Sequence, residues 1–73
     1  MSEVKTRFGK KLRKIRRNQD LTQAQLAELV GVSVDFISVI ERGLSSPSFE
    51  TIQKFGEVLE VDFSEFFLPP EKK

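Results

Sequence analysis

Apolar residues recur at helical spacing along most of the chain, and the pattern is clearest between residues 22 and 43. This segment contains two apolar stripes, one made of Leu26, Ala27 and Val30 and the other of Ile37 and Ile40. Residues three or four positions apart lie on the same face of an α-helix, so both stripes can face one small core. The pattern therefore predicts two short helices, at about residues 23–30 and 34–42.

Turn and capping residues mark the ends of these two helices. Gly31 falls where the first helix must stop, at a position that favours the left-handed conformation open to glycine, and Val32 follows in the turn. Thr22 with Gln25 three residues later has the form of a capping box, and Ser33 is suited to cap the second helix. The segment is therefore predicted to form two helices joined by a sharp turn.

A helix on each side of this segment extends the predicted fold. The first is expected at about residues 4–18, with a buried stripe of Val4, Phe8, Leu12 and Ile15. After a loop at residues 43–47, Ser48 can cap a helix at residues 49–59 whose inward side chains are Ile52, Phe55 and Leu59. Gly56 is expected to let another helix pack closely.

The C-terminal part of the chain contains one more short helix. Asp62 and Glu65 have the spacing of a second capping box, which predicts a helix at residues 63–67 that ends before the two adjacent prolines. No repeat or linker divides the chain. We therefore expect residues 1–68 to form one compact all-α domain of five helices, and residues 69–73 to form a flexible tail.

Composition limits the chemistry of this domain. The 73 residues of the chain include no cysteine and no histidine, which excludes disulfides, thiol catalysis, zinc–thiolate sites and histidine general bases. The carboxylates are scattered rather than paired, so we expect no enzyme activity, no metal and no cofactor. No apolar run is long enough to span a bilayer, and residues 1–14 lack the core of a signal peptide, so a cytoplasmic, nucleoid-associated location is expected.

Charge is distributed unevenly, although the net charge is only +1. Residues 1–17 hold eight basic residues and one acidic residue, a net charge of +7, whereas residues 18–73 hold four basic and ten acidic residues, a net charge of −6. A basic block of this kind can attract phosphates in a salt-dependent way. The alternative is an ordinary solvated helix face made of Lys10, Lys11, Lys14 and Arg17.

The predicted helix-turn-helix resembles the lambda-repressor-like family of the Cro and XRE type. The resemblance is carried by Gln23, Leu26, Ala27, Gly31, Val32, Ile37, Ile40 and the Glu41-Arg42-Gly43 ending. The flanking helices agree at Leu12, Ile15, Arg16, Pro47, Ser48 and residues 52–59. The resemblance covers roughly residues 8–68 and implies a DNA-binding protein, with the second helix of the motif as a recognition helix in the major groove.

On a helical wheel, the recognition helix turns its two isoleucines inward. The candidates for reading bases lie toward its other side, and they are Val34, Asp35, Ser38 and Val39. Val34 suits contact with a thymine methyl group, and the alternative is a plain surface valine. Asp35 can accept a bond from cytosine N4 or favour the helix dipole, and we favour the dipole. Ser38 can donate to DNA or be an ordinary surface serine, and Val39 is the weakest candidate.

Four residues are candidates for binding phosphates, namely Gln23, Arg42, Ser45 and Arg17. Gln23 resembles the phosphate-clamping glutamine of the family, in which the amide and the free N–H groups of the helix terminus converge on one anion. Arg42 and the loop that contains Ser45 can reach the backbone on the other side, although a helix C-terminus also favours arginine. The resemblance also implies a buried ion pair between Arg16 and Glu41 that positions the recognition helix.

The C-terminus carries more aromatic surface than a small core can bury. The residues concerned, with two apolar neighbours, are Phe63, Phe66, Phe67, Leu68, Val58 and Leu44. We expect them to form the interface of a homodimer, whose two recognition helices would match a palindromic operator. The alternative is that this segment folds back on the first and fourth helices.

The expected function is that of a homodimeric, sequence-specific transcriptional regulator, similar to small phage repressors and restriction-modification controller proteins. Its partners would be double-stranded DNA, a second copy of the chain and, for activation, RNA polymerase, because the sequence does not separate repression from activation. The alternative is a protein-interaction module, such as an antitoxin or a bridging factor, built on the same scaffold.

Overall fold

The computed structural model describes residues 3–67, which form four α-helices and one short 3-10 helix, with no strand in this range. The elements are α1 (Glu3–Asn18), α2 (Gln23–Val30), α3 (Val34–Glu41), α4 (Phe49–Leu59) and a terminal 3-10 helix (Phe63–Phe67). The all-α fold is confirmed, and the bounds of α2 and α4 agree with the prediction. Residue 68 and the expected tail at residues 69–73 lie outside the described residues.

Side-chain caps begin α2, α3 and α4 at the predicted residues. At α2 the Thr22 hydroxyl accepts a hydrogen bond from the Gln25 N–H (3.0 Å), and the Gln25 side chain accepts one from the Thr22 N–H (2.8 Å). The hydroxyls of Ser33 and Ser48 accept in the same way from the N–H three residues later. These bonds use donors that a helix terminus otherwise leaves unpaired, so each start is determined locally.

The turn between α2 and α3 is built around Gly31. Its φ of 89° lies in the left-handed region, as predicted, and its N–H donates to the Ala27 carbonyl oxygen at 2.8 Å. The Val32 N–H donates to the same oxygen at 3.0 Å. Within residues 3–67 no single helix is long and apolar enough to cross a membrane, while α2 and α3 together reach that length and composition but are bent by 114° at this turn.

One core is shared by all five elements. Its buried side chains are Phe8, Leu12, Leu26, Ala27, Val30, Ile37, Ile40, Ile52, Phe55, Leu59 and Phe66. α1 approaches α3 closely at Gly9, where an added Cβ would lie 2.8 Å from the Glu41 carbonyl oxygen and closer still to that of Ile40. Gly9 therefore lets the two helix backbones meet, a contact that the apolar pattern does not reveal.

Val4 is not part of the buried stripe of α1, so the prediction was wrong at this residue. Its side chain is 63% exposed, because the first turn of α1 reaches beyond the packed residues of the core. There it lines a shallow pocket of about 110 Å³ together with Arg7, Phe8, Phe66 and Phe67. The buried residues of α1 are Phe8, Gly9, Leu12 and Arg16, and Ile15 is half-buried and packs against the core.

The last helix differs from the prediction in its type and its cap. The segment is only five residues long and forms a 3-10 helix, which is the usual form of such short pieces. The Glu65 N–H, which a capping box requires, donates to the Asp62 carbonyl oxygen at 2.9 Å. Asp62 Oδ1 accepts instead from the N–H of Ser64 (3.0 Å) and from its hydroxyl (3.1 Å). These two bonds, the backbone one foremost, lower the pKa of the Asp62 carboxyl.

Gly56 faces the chain that follows α4. An added Cβ would lie 3.0 Å from the Val61 carbonyl oxygen and 3.9 Å from the Phe66 ring. The expected close approach at Gly56 is therefore present: the nearest backbone atom is the Val61 carbonyl oxygen, and the backbone nitrogen of Phe63, which begins the terminal 3-10 helix, would lie at 3.9 Å.

Candidate nucleic-acid interface

The exposed face of α3 carries three of the four predicted base-reading residues. Val34 is 44% exposed, Asp35 is exposed in the first turn, and Ser38 is half-buried one turn further along. Val39 differs from the helical-wheel prediction, because its side chain packs against the core and leaves only part of its surface open. The face that α3 presents therefore combines an apolar, an acidic and a hydroxyl group from Val34, Asp35 and Ser38.

The N-terminus of α2 lies beside the C-terminal end of α3, where Gln23 bonds to Glu41, and it retains free donors. The capping box uses the N–H groups of Thr22 and Gln25, and the Leu26 N–H donates to the Thr22 carbonyl oxygen. Among the hydrogen bonds of the described residues, none uses the backbone N–H of Gln23 or of Ala24. A helix N-terminus with two unpaired N–H groups is a favourable place for an anion.

The Gln23 side chain is held by a carboxylate. Its Nε2 donates to Glu41 Oε1 at 3.0 Å, which leaves the second hydrogen of the amide for another acceptor. Sequence reasoning assigned Gln23 and Glu41 separate roles and did not anticipate this bond. No sequence signal reveals it, because the two residues are eighteen positions apart and meet only when α2 and α3 are packed.

The predicted ion pair of Arg16 and Glu41 is present and buried. Arg16 Nε donates to Glu41 Oε2 at 2.7 Å and Nη2 donates to Oε1 at 3.0 Å, while Nη1 donates to the Leu21 carbonyl oxygen at 2.7 Å. The side chains of the pair are 8% and 2% exposed. Arg16, Gln23 and Glu41 thus form a polar junction with one residue from each of α1, α2 and α3, and no buried side-chain N or O atom in residues 3–67 lacks a partner.

The other three phosphate candidates make none of the hydrogen bonds of the junction. Arg42 is exposed and caps the C-terminus of α3, and Ser45 is half-buried in the following loop. Arg17 is exposed on α1, where it lines an open groove with Lys10, Arg13, Lys14 and Asn18. In residues 3–67 no group of three or more acidic residues is placed to hold a metal ion.

The predicted dimer residues separate into buried and exposed ones. Phe66 is only 3% exposed, with its ring centroid 5.2 Å from that of Phe8, so its assignment to a dimer interface is wrong because the core of the same chain uses it. Val58 is half-buried and also packs against the core. Leu44, Phe63 and Phe67 are exposed, at 62%, 40% and 45%.

A further exposed ring, Phe49, was not among the predicted dimer residues. It begins α4 and is 76% exposed. Its ring centroid lies 6.4 Å from that of Phe63, which in turn lies 5.4 Å from that of Phe67. Phe49, Phe63 and Phe67 therefore form one continuous aromatic patch on the surface. The signal in the sequence was an aromatic residue directly after the cap Ser48, at a position that faces away from the core.

Comparison with known proteins extends these observations. A helix-turn-helix family model, HTH_3, matches residues 12–66. The HTH-type transcriptional regulator PuuR of Escherichia coli is 43% identical over 72 residues, which are 99% of this chain but only 39% of that protein. The chain thus spans well under half the length of that relative. The control protein C.MunI of a Mycoplasma species is 34% identical over 74 residues and is covered completely by the match, as is this chain.

One solved structure and one further relative are also similar to this chain. The crystal structure of the restriction-modification controller protein C.AhdI from Aeromonas hydrophila superposes with a TM-score of 0.83 at 32% identity, over 86% of this chain and 91% of that one. The antitoxin PezA of Streptococcus pneumoniae is 43% identical over 53 residues, which are 67% of this chain and 34% of that protein.

Proposed function

Since the chain belongs to the HTH_3 helix-turn-helix family of the Cro and XRE type, we propose that it regulates transcription by binding a specific DNA site with α3 in the major groove. The observation that carries the proposal is the exposed face of α3 together with the free N–H groups of the α2 terminus. In a helix-turn-helix complex the second helix reads bases while the N-terminus of the first meets the DNA backbone. The two surfaces of this chain have the chemistry that each position requires.

The base-reading part of the proposal rests on Val34, Asp35 and Ser38. Val34 offers an exposed apolar group for a thymine methyl, and Ser38 offers a hydroxyl for a base or a phosphate. Asp35 can accept from cytosine N4, while its place in the first turn of α3 also favours the helix dipole. Val39 contributes least, because its side chain is partly used by the core.

The phosphate-binding part rests first on Gln23. The amide hydrogen that does not bond to Glu41, together with the backbone N–H groups of Gln23 and Ala24, can hold one phosphate at the α2 terminus. Arg42 and Ser45, on the loop side of α3, would hold the backbone across the groove, and Arg17 would add a contact from α1. Such contacts set orientation and register without reading sequence.

The proposed assembly is a homodimer that meets through the aromatic patch and Leu44. Three exposed phenylalanines in contact are unusual on a monomer of this size, and a second copy would bury them. A twofold dimer presents two recognition helices to half-sites about one DNA turn apart, so the operator would be palindromic. Contact with RNA polymerase, if the protein also activates, would need an exposed acidic surface, and Glu28 on α2 is exposed.

The test is selection of bound sites from a pool of random duplex DNA at two salt concentrations, with the oligomeric state of the protein measured by sedimentation. We expect a palindromic consensus with half-sites about 10 base pairs apart, bound by a dimer. Binding that depends on salt but yields no consensus would contradict sequence-specific regulation.

Matched variants separate the dimer from the fold. Phe63→Glu introduces a charge into the exposed patch and is expected to give folded monomers that bind the palindrome more weakly. Glu57→Gln, at an exposed residue of α4, is the control and should sediment as the wild type does. A Phe63→Glu protein that remains a dimer would place the interface elsewhere.

The second candidate function is a protein-interaction module such as an antitoxin or a bridging factor. It is favoured by the similarity to the antitoxin PezA and by the aromatic patch, which can dock a different protein as readily as a second copy. A protein that sediments as a monomer, selects no consensus and co-purifies with one partner that Phe63→Glu releases would support this function over the first.

A further inference from the structure

The solvent face of α1 carries a row of cations that the base-reading and dimer surfaces do not use. We call Lys10, Arg13, Lys14 and Arg17 the basic strip. All four residues are exposed, and together with Asn18 they line an open groove of about 430 Å³. Their spacing of three, four and seven places them on one face of the helix. The strip therefore presents four positive charges to solvent along one side of α1.

No ion pair of the described residues involves a member of the basic strip. The salt bridge of residues 3–67 joins Arg16 to Glu41, and α1 contains one acidic residue, Glu3, at its opposite end. Like charges three and four residues apart on a helix repel each other. The helix C-terminus favours Arg17 in the last turn, but this effect fades within one turn and does not extend to Lys10. The arrangement therefore lowers the stability of α1 slightly, and an anion outside the chain would relieve the repulsion.

The position of the strip indicates which anion that is. Its C-terminal end, Arg17, follows Arg16, whose guanidinium binds Glu41 and the Leu21 carbonyl just before α2. Glu41 in turn holds Gln23 at the proposed phosphate site. From Arg17 the strip runs back along α1 for seven residues, or about 10 Å at the helical rise. Since one DNA strand carries a phosphate about every 3.4 Å along the axis, this length spans about three phosphates.

We propose that the basic strip binds the phosphate backbone of the DNA that flanks the bases read by α3. This inference rests on the proposed function, and it adds a contact outside the half-site to those inside it. In the proposed arrangement the strip contacts phosphates and no base edge. Its contribution to affinity is therefore independent of the flanking sequence and sensitive to salt. Residues 1–17, which include the strip, have a net charge of +7, whereas residues 18–73 have a net charge of −6. This asymmetry favours one orientation of approach to DNA.

The experiment compares two duplexes that carry the selected site, one trimmed to the consensus and one extended by about 10 base pairs, one helical turn, on each side. The variants are Lys14→Gln in the strip and Lys54→Gln on α4, which is also an exposed lysine and changes the net charge equally. On the extended duplex, Lys14→Gln is expected to lower the slope of log affinity against log salt by about 1, and Lys10→Gln to do the same. On the trimmed duplex neither variant should differ from Lys54→Gln.

Two outcomes would overturn this inference alone, and a third would overturn the proposed function on which it rests. If Lys14→Gln and Lys10→Gln both match Lys54→Gln on the extended duplex, the strip does not bind flanking DNA, although the proposed function stands. If both lower the affinity equally on the two duplexes, the contact lies inside the half-site and the flanking assignment is wrong. If the wild-type protein itself selects no site, the proposed function fails first. Circular dichroism of the exposed-lysine variants establishes that each one is folded.

Discussion

The polar junction of Arg16, Gln23 and Glu41 and the aromatic patch of Phe49, Phe63 and Phe67 differ in how much of their interaction is completed within one chain. In the junction, every buried polar atom has a partner, and the Arg16 and Glu41 side chains are almost inaccessible to solvent. In the patch, the rings touch one another but remain between 40% and 76% exposed. The junction connects α1, α2 and α3 through buried bonds, whereas the rings of the patch remain open to solvent. This small domain therefore completes its polar contacts among α1, α2 and α3 within one chain, while an apolar surface stays open at its C-terminal end.

The largest expected effect comes from opening the junction. Glu41→Ala leaves the Arg16 guanidinium buried without a counter-charge, and breaking such a pair typically costs about 3 to 5 kcal/mol. We expect the free energy of unfolding in urea to fall by that amount. The control is the double variant Arg16→Met/Glu41→Leu, which removes both charges and should cost far less. A Glu41→Ala protein of unchanged stability would show that the junction does not hold the helices.

At the other end of the molecule, neighbouring phenylalanines should behave differently. Phe66→Ala removes a ring that is 3% exposed and is expected to cost about 3 to 5 kcal/mol in unfolding free energy. Phe67→Ala, the matched control, truncates a 45% exposed ring and is expected to cost about 1 kcal/mol or less. Measurements belong at low protein concentration, where a dimer would be dissociated. Equal losses for the two variants would contradict the division between core and patch.

A methyl group at Gly9 tests the backbone contact beside the junction. Gly9→Ala forces α1 away from the carbonyl groups at the end of α3, and overpacking of this kind costs about 1 to 3 kcal/mol. An ordinary helix glycine would respond with the opposite sign, since alanine is usually more stable there by about 0.5 to 1 kcal/mol. Gly56→Ala is the milder companion, because its nearest neighbour would be 3.0 Å away. A stabilised Gly9→Ala protein would show that the helices have room to separate.

The smallest expected effect concerns pH and the cap of the terminal 3-10 helix. The bonds from Ser64 hold the pKa of the Asp62 carboxyl below its ordinary value of 3.8 in the folded chain. The stabilisation is therefore complete above that value and is lost as the pH falls through the lower, folded pKa. We expect a slight loosening of residues 63–67 in strong acid, visible in the Ser64 amide signal by NMR. In Asp62→Asn, which cannot titrate, that signal should not change over the same pH range.

Local signals in the sequence predicted the elements well. Thr22, Ser33 and Ser48 each bond to an N–H three residues later, and Gly31 adopts the left-handed turn, because caps and turns depend on neighbouring residues alone. The same kind of reasoning failed at Asp62, where a tight turn made the Glu65 N–H unavailable to the side chain. Glu60 ends α4 in the left-handed conformation, with a φ of 59°. A glycine at this position would have been a sequence signal for that conformation, but the chain has none there.

Contacts between elements were less accessible to sequence reasoning. The Arg16–Glu41 pair could be expected only through the family resemblance, since spacing does not bring together residues that are 25 positions apart. The assignment of Phe66 to an interface failed because a run of phenylalanines does not reveal which ring turns inward. The bond from Gln23 to Glu41 depends on the packing angle between α2 and α3, which no local pattern contains.

The polar junction also shapes the mutational routes open to this domain. A single substitution at Arg16 or Glu41 must pass through a protein with a stranded charge, while replacement of the pair together is nearly neutral. An exchange of the pair for apolar residues therefore has to pass through a destabilised single variant, which favours retention of the pair. Val34, Asp35 and Ser38 carry no such coupling, because none of them belongs to the junction. Under the proposed function, new binding preferences can therefore arise by single substitutions on α3 that leave the junction intact.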